Sequence, residues 1–259
     1  MKLSLSGRII ETAQGSALPI REFIQMASST GYDCIDIRYS QINTDYSDDL
    51  IDETESALAD SGIAAVMMNV GSISSDVSLD GLIRIAEAAK RLGCDLIRIS
   101  GSPEMIQKAA DEVAPLRLCS QIHTGGEYET IASTRETLAE IGRNNFGVLV
   151  EPANLLMAGE SYGEEALAQI SDSVFGVNLQ SIKVVGSEEG SKLNLRDGTE
   201  VSYTRVPLGE NAQMDTAGFI SALKAVGFDA FINVLEPHEA GVNSATVAQS
   251  TAETLRSLL

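Results

Sequence analysis

Short apolar runs alternate with amphipathic stretches along the whole chain, and that alternation limits the folds open to it. The runs read as strands over 2–6, 33–40, 64–70, 95–100, 117–123, 147–151, 174–185 and 230–236. Helical patterns separate them. "LPIREFIQMASSTG" carries Pro19 in its first turn and stops at Gly31. "SDDLIDETESALADSG" opens on acids and stops at Gly62, and "SLDGLIRIAEAAKRLG" opens on a capping Ser78 and stops at Gly93. A cap or proline at the start and a glycine at the end is the expected asymmetry of helix termini. "TIASTRETLAEIG", "GEEALAQIS", "DTAGFISALKAVG" and "NSATVAQSTAETLRSLL" continue the series, and "SPEMIQKAADEVAP" is its least regular member. The strands start about one strand-plus-helix unit apart. Eight such units in 259 residues predict a (β/α)8 TIM barrel, one domain over 1–259. An open doubly wound sheet is the alternative, but no GxGxxG follows the first strand.

One segment breaks the rhythm. Within 187–209, "LNLRDGTEVSY" reads as a β-hairpin turning at Asp197-Gly198. It follows strand seven, so it projects from the catalytic face as a lid, a subunit contact or a surface decoration.

The net charge of -19 opposes binding to nucleic acid and to anionic membranes. No apolar stretch reaches the roughly 20 residues of a membrane span, and the start of the chain lacks a secretory pattern. A cytoplasmic protein is expected. Cys34, Cys94 and Cys119 sit in or beside apolar runs without a CxxC spacing, which predicts buried, reduced thiols.

Side chains alternate along a strand, and polar ones near the C-terminal ends of a barrel's inward faces mark its active site. Asp36 and Arg38, Asn69, Arg98, Gln121 with His123, Glu151, Asn178 with Gln180, and Glu236 followed by His238 occupy such places. Burying them without partners is costly, so solvent, a metal or a ligand must satisfy them.

In order and spacing, "GYDCIDIRYSQI", "GCDLIRISG", "FGVLVEPANLLMAGE" and "VPLGENAQMDTAGFISALKAVGFDAFINVLEP" resemble the xylose-isomerase-like TIM barrels. That group includes sugar isomerases and epimerases, sugar-derived dehydratases and metal-dependent AP endonucleases. The resemblance implies one divalent ion held by residues of strands five to eight, usually Glu, Asp, His or Gln, and Glu. The matching positions here are Gln121, Glu151, Asn178 and Glu236. Two carboxylates and two amide oxygens suit a hard ion, Mn2+ or Mg2+, with less charge than the usual set. In the other reading, Gln121 and Asn178 are hydrogen-bonding groups of a metal-free pocket.

Where relatives often carry a substrate-touching His, this chain has Asn154, which either meets a sugar hydroxyl or caps the next segment. His123 is placed near the substrate by the same resemblance. The function implied is an isomerase or epimerase of a small sugar or keto-sugar, moving a proton beside a carbonyl with metal assistance. Glu151, Glu236 and His123 are the catalytic candidates. Arg38, Asn69, Arg98, Asn154, Gln180 and His238 are the candidates for substrate binding. A dehydratase or lyase on a sugar-derived keto compound, and a non-catalytic sugar-binding barrel, are the alternatives. The expected partners are a small carbohydrate-like molecule and, in a homo-oligomer, further copies of the chain.

Overall fold

The computed structural model describes residues 1–208 and 213–259. Gly209, which ends the 187–209 excursion, and 210–212 of the "VPLGENAQMD" segment lie outside the described residues. Eight parallel strands close into a barrel in chain order. They are β1 (Lys2–Ser6), β2 (Cys34–Ile37), β3 (Ala64–Ile73), β4 (Leu96–Gly101), β5 (Arg117–Gln121), β6 (Phe146–Val150), β7 (Val174–Leu179) and β8 (Phe231–Val234), with β8 pairing back onto β1. The helices are α1 (Ile20–Ser29), α2 (Asp48–Ser61), α3 (Asp76–Arg91), α4 (Pro103–Val113), α5 (Ile131–Ile141), α6 (Pro152–Met157), α7 (Glu164–Leu167), α8 (Thr216–Ala225) and α9 (Ser244–Arg256). Their apolar faces, with residues such as Phe23, Ile51, Leu82 and Ile106, are buried in one continuous core. Among the described residues, no helix is long and apolar enough to cross a membrane.

Local chemistry explains where the elements differ from the sequence reading. The least regular segment is a full helix, α4, because Ser102 caps Met105 N–H and Pro103 occupies the first turn. The cap of α3 is Ser75 rather than Ser78. Ser78 sits at the third helical position and returns the bond in a capping box, so the helix begins at Asp76. The 174–185 run is two strands. β7 ends at Leu179, and Ile182–Val185 leaves the barrel to pair antiparallel with Glu200–Arg205, which also pairs with Ser191–Asn194. The expected hairpin is therefore part of a three-stranded sheet. Its turn holds Gly198 at φ 86°, a conformation that favours glycine.

Inside the barrel, Cys34, Met67, Leu96, Cys119, Leu149 and Phe231 form a dry floor. Gly176 on β7 faces the same layer. A Cβ there would come within 2.6 Å of the Phe231 ring and 2.9 Å of Leu149, so the missing side chain is what admits the phenyl ring. The three cysteines are buried and unpaired, as their setting predicted. Burial pushes the Cys34 and Cys94 thiols up to about 12, which leaves them poor nucleophiles.

Candidate functional site

Above the floor the inward positions turn polar. Asp36, wholly buried, accepts from Ser6 Oγ at 2.6 Å, from Asn233 Nδ2 at 3.2 Å and from Asn69 Nδ2. Asn233 Nδ2 also donates to Asn178 Oδ1 at 3.0 Å, Asn178 Nδ2 donates to Gln121 Oε1 at 3.0 Å, and Gln121 Nε2 donates to Glu151. The other Glu151 oxygen accepts from Gln180 Nε2, whose Oε1 accepts from Arg205 at 3.3 Å. Asn69 Oδ1 accepts from Arg38 at 3.2 Å and from Arg98 at 3.4 Å. The chain of amides is polarised: nitrogens point toward the carboxylates of Asp36 and Glu151, and the oxygens of Asn69 and Gln180 accept from guanidinium groups, while Asn233 Oδ1 is buried with no partner among the described residues. An ionised carboxylate only accepts and a guanidinium only donates, so these ends fix the orientation of each amide between them.

Period-two alternation decides what β8 contributes. Phe231 lies on the floor, Asn233 joins the amide chain and Leu235 reaches the mouth. Glu236 falls on the other parity. It lines a neighbouring cavity of about 510 Å³ beneath α9, with Ile9, Pro237 and Val247, and Arg205 lines both that cavity and the mouth. The expected quartet therefore comes together only in part: Gln121, Glu151 and Asn178 are linked, and Glu236 is not among them. Burial raises the pKa of Glu236, while Arg205 and Arg8 act against that from the side facing the mouth. Asn233 escaped the sequence reading. Its signal was a lone polar residue in "FINVL", two positions from Phe231.

The mouth encloses about 190 Å³. Its wall is Arg8 after β1, Arg38 after β2, Arg98 on β4, Gln121 and His123 at the end of β5, and Asn154 in α6. Gln180, and then Leu193, Tyr203 and Arg205 of the three-stranded sheet, close it from above. The sheet is thus a roof over the mouth. The residues that sequence reasoning missed here are Arg8 and the roof's Tyr203 and Arg205. His238 does not line the mouth; its backbone N–H meets Arg8 O at 3.1 Å, and its Nδ1 is buried with no partner among the described residues.

His123 Nδ1 lies 2.8 Å from the carbonyl of Thr124. A carbonyl only accepts, so Nδ1 carries the proton and Nε2 is left as the acceptor. Glu151 lies just beneath the cavity, fully buried, with Gln121 and Gln180 on its two oxygens. Burial raises its pKa, opposed first by the nearby His123 when that ring is charged and then by the Gln180 bond, Arg98 and Arg8. A carboxyl with a raised folded pKa contributes stability in acid and loses it as pH rises through that pKa. Relative to wild type, Glu151→Gln should therefore gain melting temperature as pH increases from the acid range toward neutrality. Parallel curves across that range would contradict the assignment.

The roof is anchored by Glu129, 7% exposed, whose carboxylate accepts from Gly125 N–H at 2.5 Å and Arg196 N–H at 2.9 Å. One end of this clamp is two residues from His123. Glu129→Ala leaves two backbone donors without their charged acceptor. It should raise KM several-fold more than it lowers kcat, and open 187–205 to limited proteolysis.

A family model described as "Xylose isomerase-like TIM barrel" matches residues 24–258. No curated protein matches the chain in sequence. Among solved structures it superposes on the probable 3-DHS dehydratase AsbF of Bacillus anthracis (TM-score 0.77, 15% identity, 99% of each chain). It superposes equally on the D-psicose 3-epimerase of Clostridium cellulolyticum H10 with D-tagatose (TM-score 0.77, 13% identity, 100% of this chain and 99% of that one). The IOLI protein with a bound zinc atom gives a TM-score of 0.75 at 17% identity, over 100% of this chain and 98% of that one. The chain also spans 42% of the length of a xylose isomerase-like TIM barrel/4-hydroxyphenylpyruvate dioxygenase fusion protein (TM-score 0.76, 16% identity). At these identities the likeness is one of fold.

A divalent ion at the Gln121–Glu151–Asn178 position would need oxygens that are already engaged. Both Glu151 oxygens accept amide N–H groups, Gln121 Oε1 accepts from Asn178, and Asn178 Oδ1 accepts from Asn233. One carboxylate remains, under the positive field of Arg98 and Arg8. Among the described residues, no group of three or more His, Cys, Asp or Glu could hold a metal ion. As arranged, the donors do not fit a divalent ion.

Proposed function

We propose that this chain, which belongs to the xylose isomerase-like TIM barrel family, is an enzyme that moves a proton beside the carbonyl of a small polyhydroxylated compound, with His123 as the proton carrier. The observation that carries this reading is the His123 ring. It lines the cavity, and the Thr124 carbonyl leaves its Nε2 as the acceptor. Histidine changes charge near neutral pH, which suits a general base.

In the step proposed, Nε2 takes the proton from the carbon next to the carbonyl. The electron pair moves onto the carbonyl oxygen, and the guanidinium groups of Arg98 and Arg8 stabilise the oxyanion that develops. The buried carboxylate of Glu151, which is in Coulombic contact with His123, balances the imidazolium formed. Return of the proton to the former carbonyl carbon, with the adjacent hydroxyl's proton passing to the oxyanion as the new carbonyl forms, completes an isomerisation. Protonation of a leaving hydroxyl on the next carbon completes a dehydration.

A two-base epimerisation needs proton carriers on opposite faces of the carbon. Glu236, the expected second base, faces the other cavity, so a one-base isomerisation or elimination is favoured. The test is proton NMR in D2O with a panel of small hydroxy-aldehydes, hydroxy-ketones and keto acids. The reading expects loss of the signal next to the carbonyl for at least one compound, with an isomer or a dehydrated product appearing. No exchange in any member would count against it.

A further inference from the structure

We propose that the cavity binds its ligand through an anionic, oxygen-rich group, a carboxylate or a phosphate, held between Arg8, Arg98 and Arg205 with Asn154. This rests on the reading that the barrel mouth is the reaction site, and it names the class of compound that enters.

The first observation is where the unpaired cations lie. Among the described residues, Arg8, Arg98, Arg135 and Arg205 are the arginines with no carboxylate within 4.0 Å, and all but Arg135 line this cavity, Arg205 also reaching the neighbouring cavity that holds Glu236. In a chain with 37 acidic and 18 basic residues, a counter-charge is easy to supply from within. Elsewhere the fold supplies it: Arg21, Arg84, Arg117 and Arg143, for example, all pair with acids.

The second observation is independent. Asn154 is 1% exposed and lines the same cavity, yet its Nδ2 has no partner among the described residues. Its Oδ1 accepts from Thr124 Oγ1 at 3.2 Å, which leaves the amide nitrogen facing away from Thr124. A buried donor without an acceptor is costly unless a ligand supplies one.

The third observation is the balance of donors and acceptors. The acceptor oxygens around the mouth each receive a bond already: Gln180 from Arg205, Gln121 from Asn178, Asn69 from Arg38 and Arg98, and Glu151 from two amides. The groups with unused capacity are predominantly donors. Among the described residues, Arg98 has one acceptor for five N–H groups, Asn69 Oδ1 at 3.4 Å. Arg8 has none for its guanidinium among the described residues, and it faces the like charge of Arg205. A neutral polyol both donates and accepts and would leave this surplus unmet. A carboxylate or phosphate only accepts when ionised, and guanidinium groups match both geometries. The net charge of -19 weakens adventitious anion binding on the rest of the surface, so such a site stands out against a low background.

The test is titration calorimetry at low salt with three probes that share a three-carbon skeleton: glycerol, glycerate and glycerol 3-phosphate. The expected result is one saturable site per chain for glycerate, for glycerol 3-phosphate or for both, and none for glycerol. The tighter of the two anions identifies the group as a carboxylate or a phosphate. Arg205→Met should weaken that binding by about tenfold or more, as should Arg98→Met, since a bond to a charged group contributes about 1.5–3 kcal/mol. Arg205 is exposed at the end of its strand, so its variant should keep the fold even if Arg98→Met does not. Equal binding of glycerol, no saturable anion binding, or unchanged affinity in Arg205→Met would overturn the proposal. The two readings separate cleanly. Anion binding that survives in His123→Asn while proton exchange is lost supports both. Exchange on neutral compounds without anion binding would sink this proposal and leave the proton-transfer reading standing.

Discussion

His123→Asn is expected to slow proton exchange next to the substrate carbonyl by about 10²–10⁴-fold, the usual contribution of a positioned general base. Asparagine can keep the N–H donated to the Thr124 carbonyl, so the loop should hold its course. What disappears is the acceptor nitrogen on the cavity. His123 is exposed, and substitutions at such positions usually change stability by about 0.5 kcal/mol or less. A large loss of rate with an unchanged melting temperature is therefore the signature sought. Exchange at the wild-type rate would remove His123 from the reaction.

Gln121→Glu is expected to have the largest effect on stability. The substitution converts the amide that donates to Glu151 into a second carboxylate in contact with the first, inside the barrel. It also sets a second acceptor against Glu151 and exchanges the neutral Oε1 that receives Asn178 Nδ2 for a charged one. An uncompensated buried charge costs about 3–5 kcal/mol. In a chain of this length each kcal/mol corresponds to about 2–4 °C of melting temperature. A drop of roughly 6–20 °C near neutral pH follows from those two figures, smaller in acid, where one carboxyl is protonated. Mn2+ should restore part of the loss in the variant, because two adjacent carboxylates form a hard-ion site, and should leave wild type unmoved. Wild type stabilised by Mn2+ as strongly as the variant would mean that the amide set does hold an ion.

The barrel was legible because periodicity carries it. Eight apolar runs and the glycines that stop helices at Gly62 and Gly93 needed no tertiary information. The split of 174–185 was not legible. Alternation continues through Gln180 and Ser181, and nothing local says that the chain changes partners there, from β8 to Glu200–Arg205. Inward parity was legible on regular strand: Asp36, Asn69, Arg98, Gln121 and Asn178 all turn into the barrel.

The parity reading differs at β8, where extending the strand to 236 put Glu236 on the inward set and the strand ends at Val234. Phe231 and Asn233 define the opposite parity. Arg8 lies in a short 3-10 turn, Gly7–Ile10, where no alternation applies. Arg205 meets Gln180 from 25 residues away along the chain, through the roof sheet. A contact of that kind is set by tertiary folding and leaves no local trace.

The central claim is that proton transfer at this mouth runs on His123 among fixed guanidinium and amide groups. It is tested most directly by exchange of the substrate proton in D2O, on protein treated with EDTA, for wild type and His123→Asn side by side. The account predicts that chelation leaves the wild-type rate unchanged and that the variant loses exchange. Exchange abolished by EDTA, restored by Mn2+ and retained in His123→Asn would contradict it.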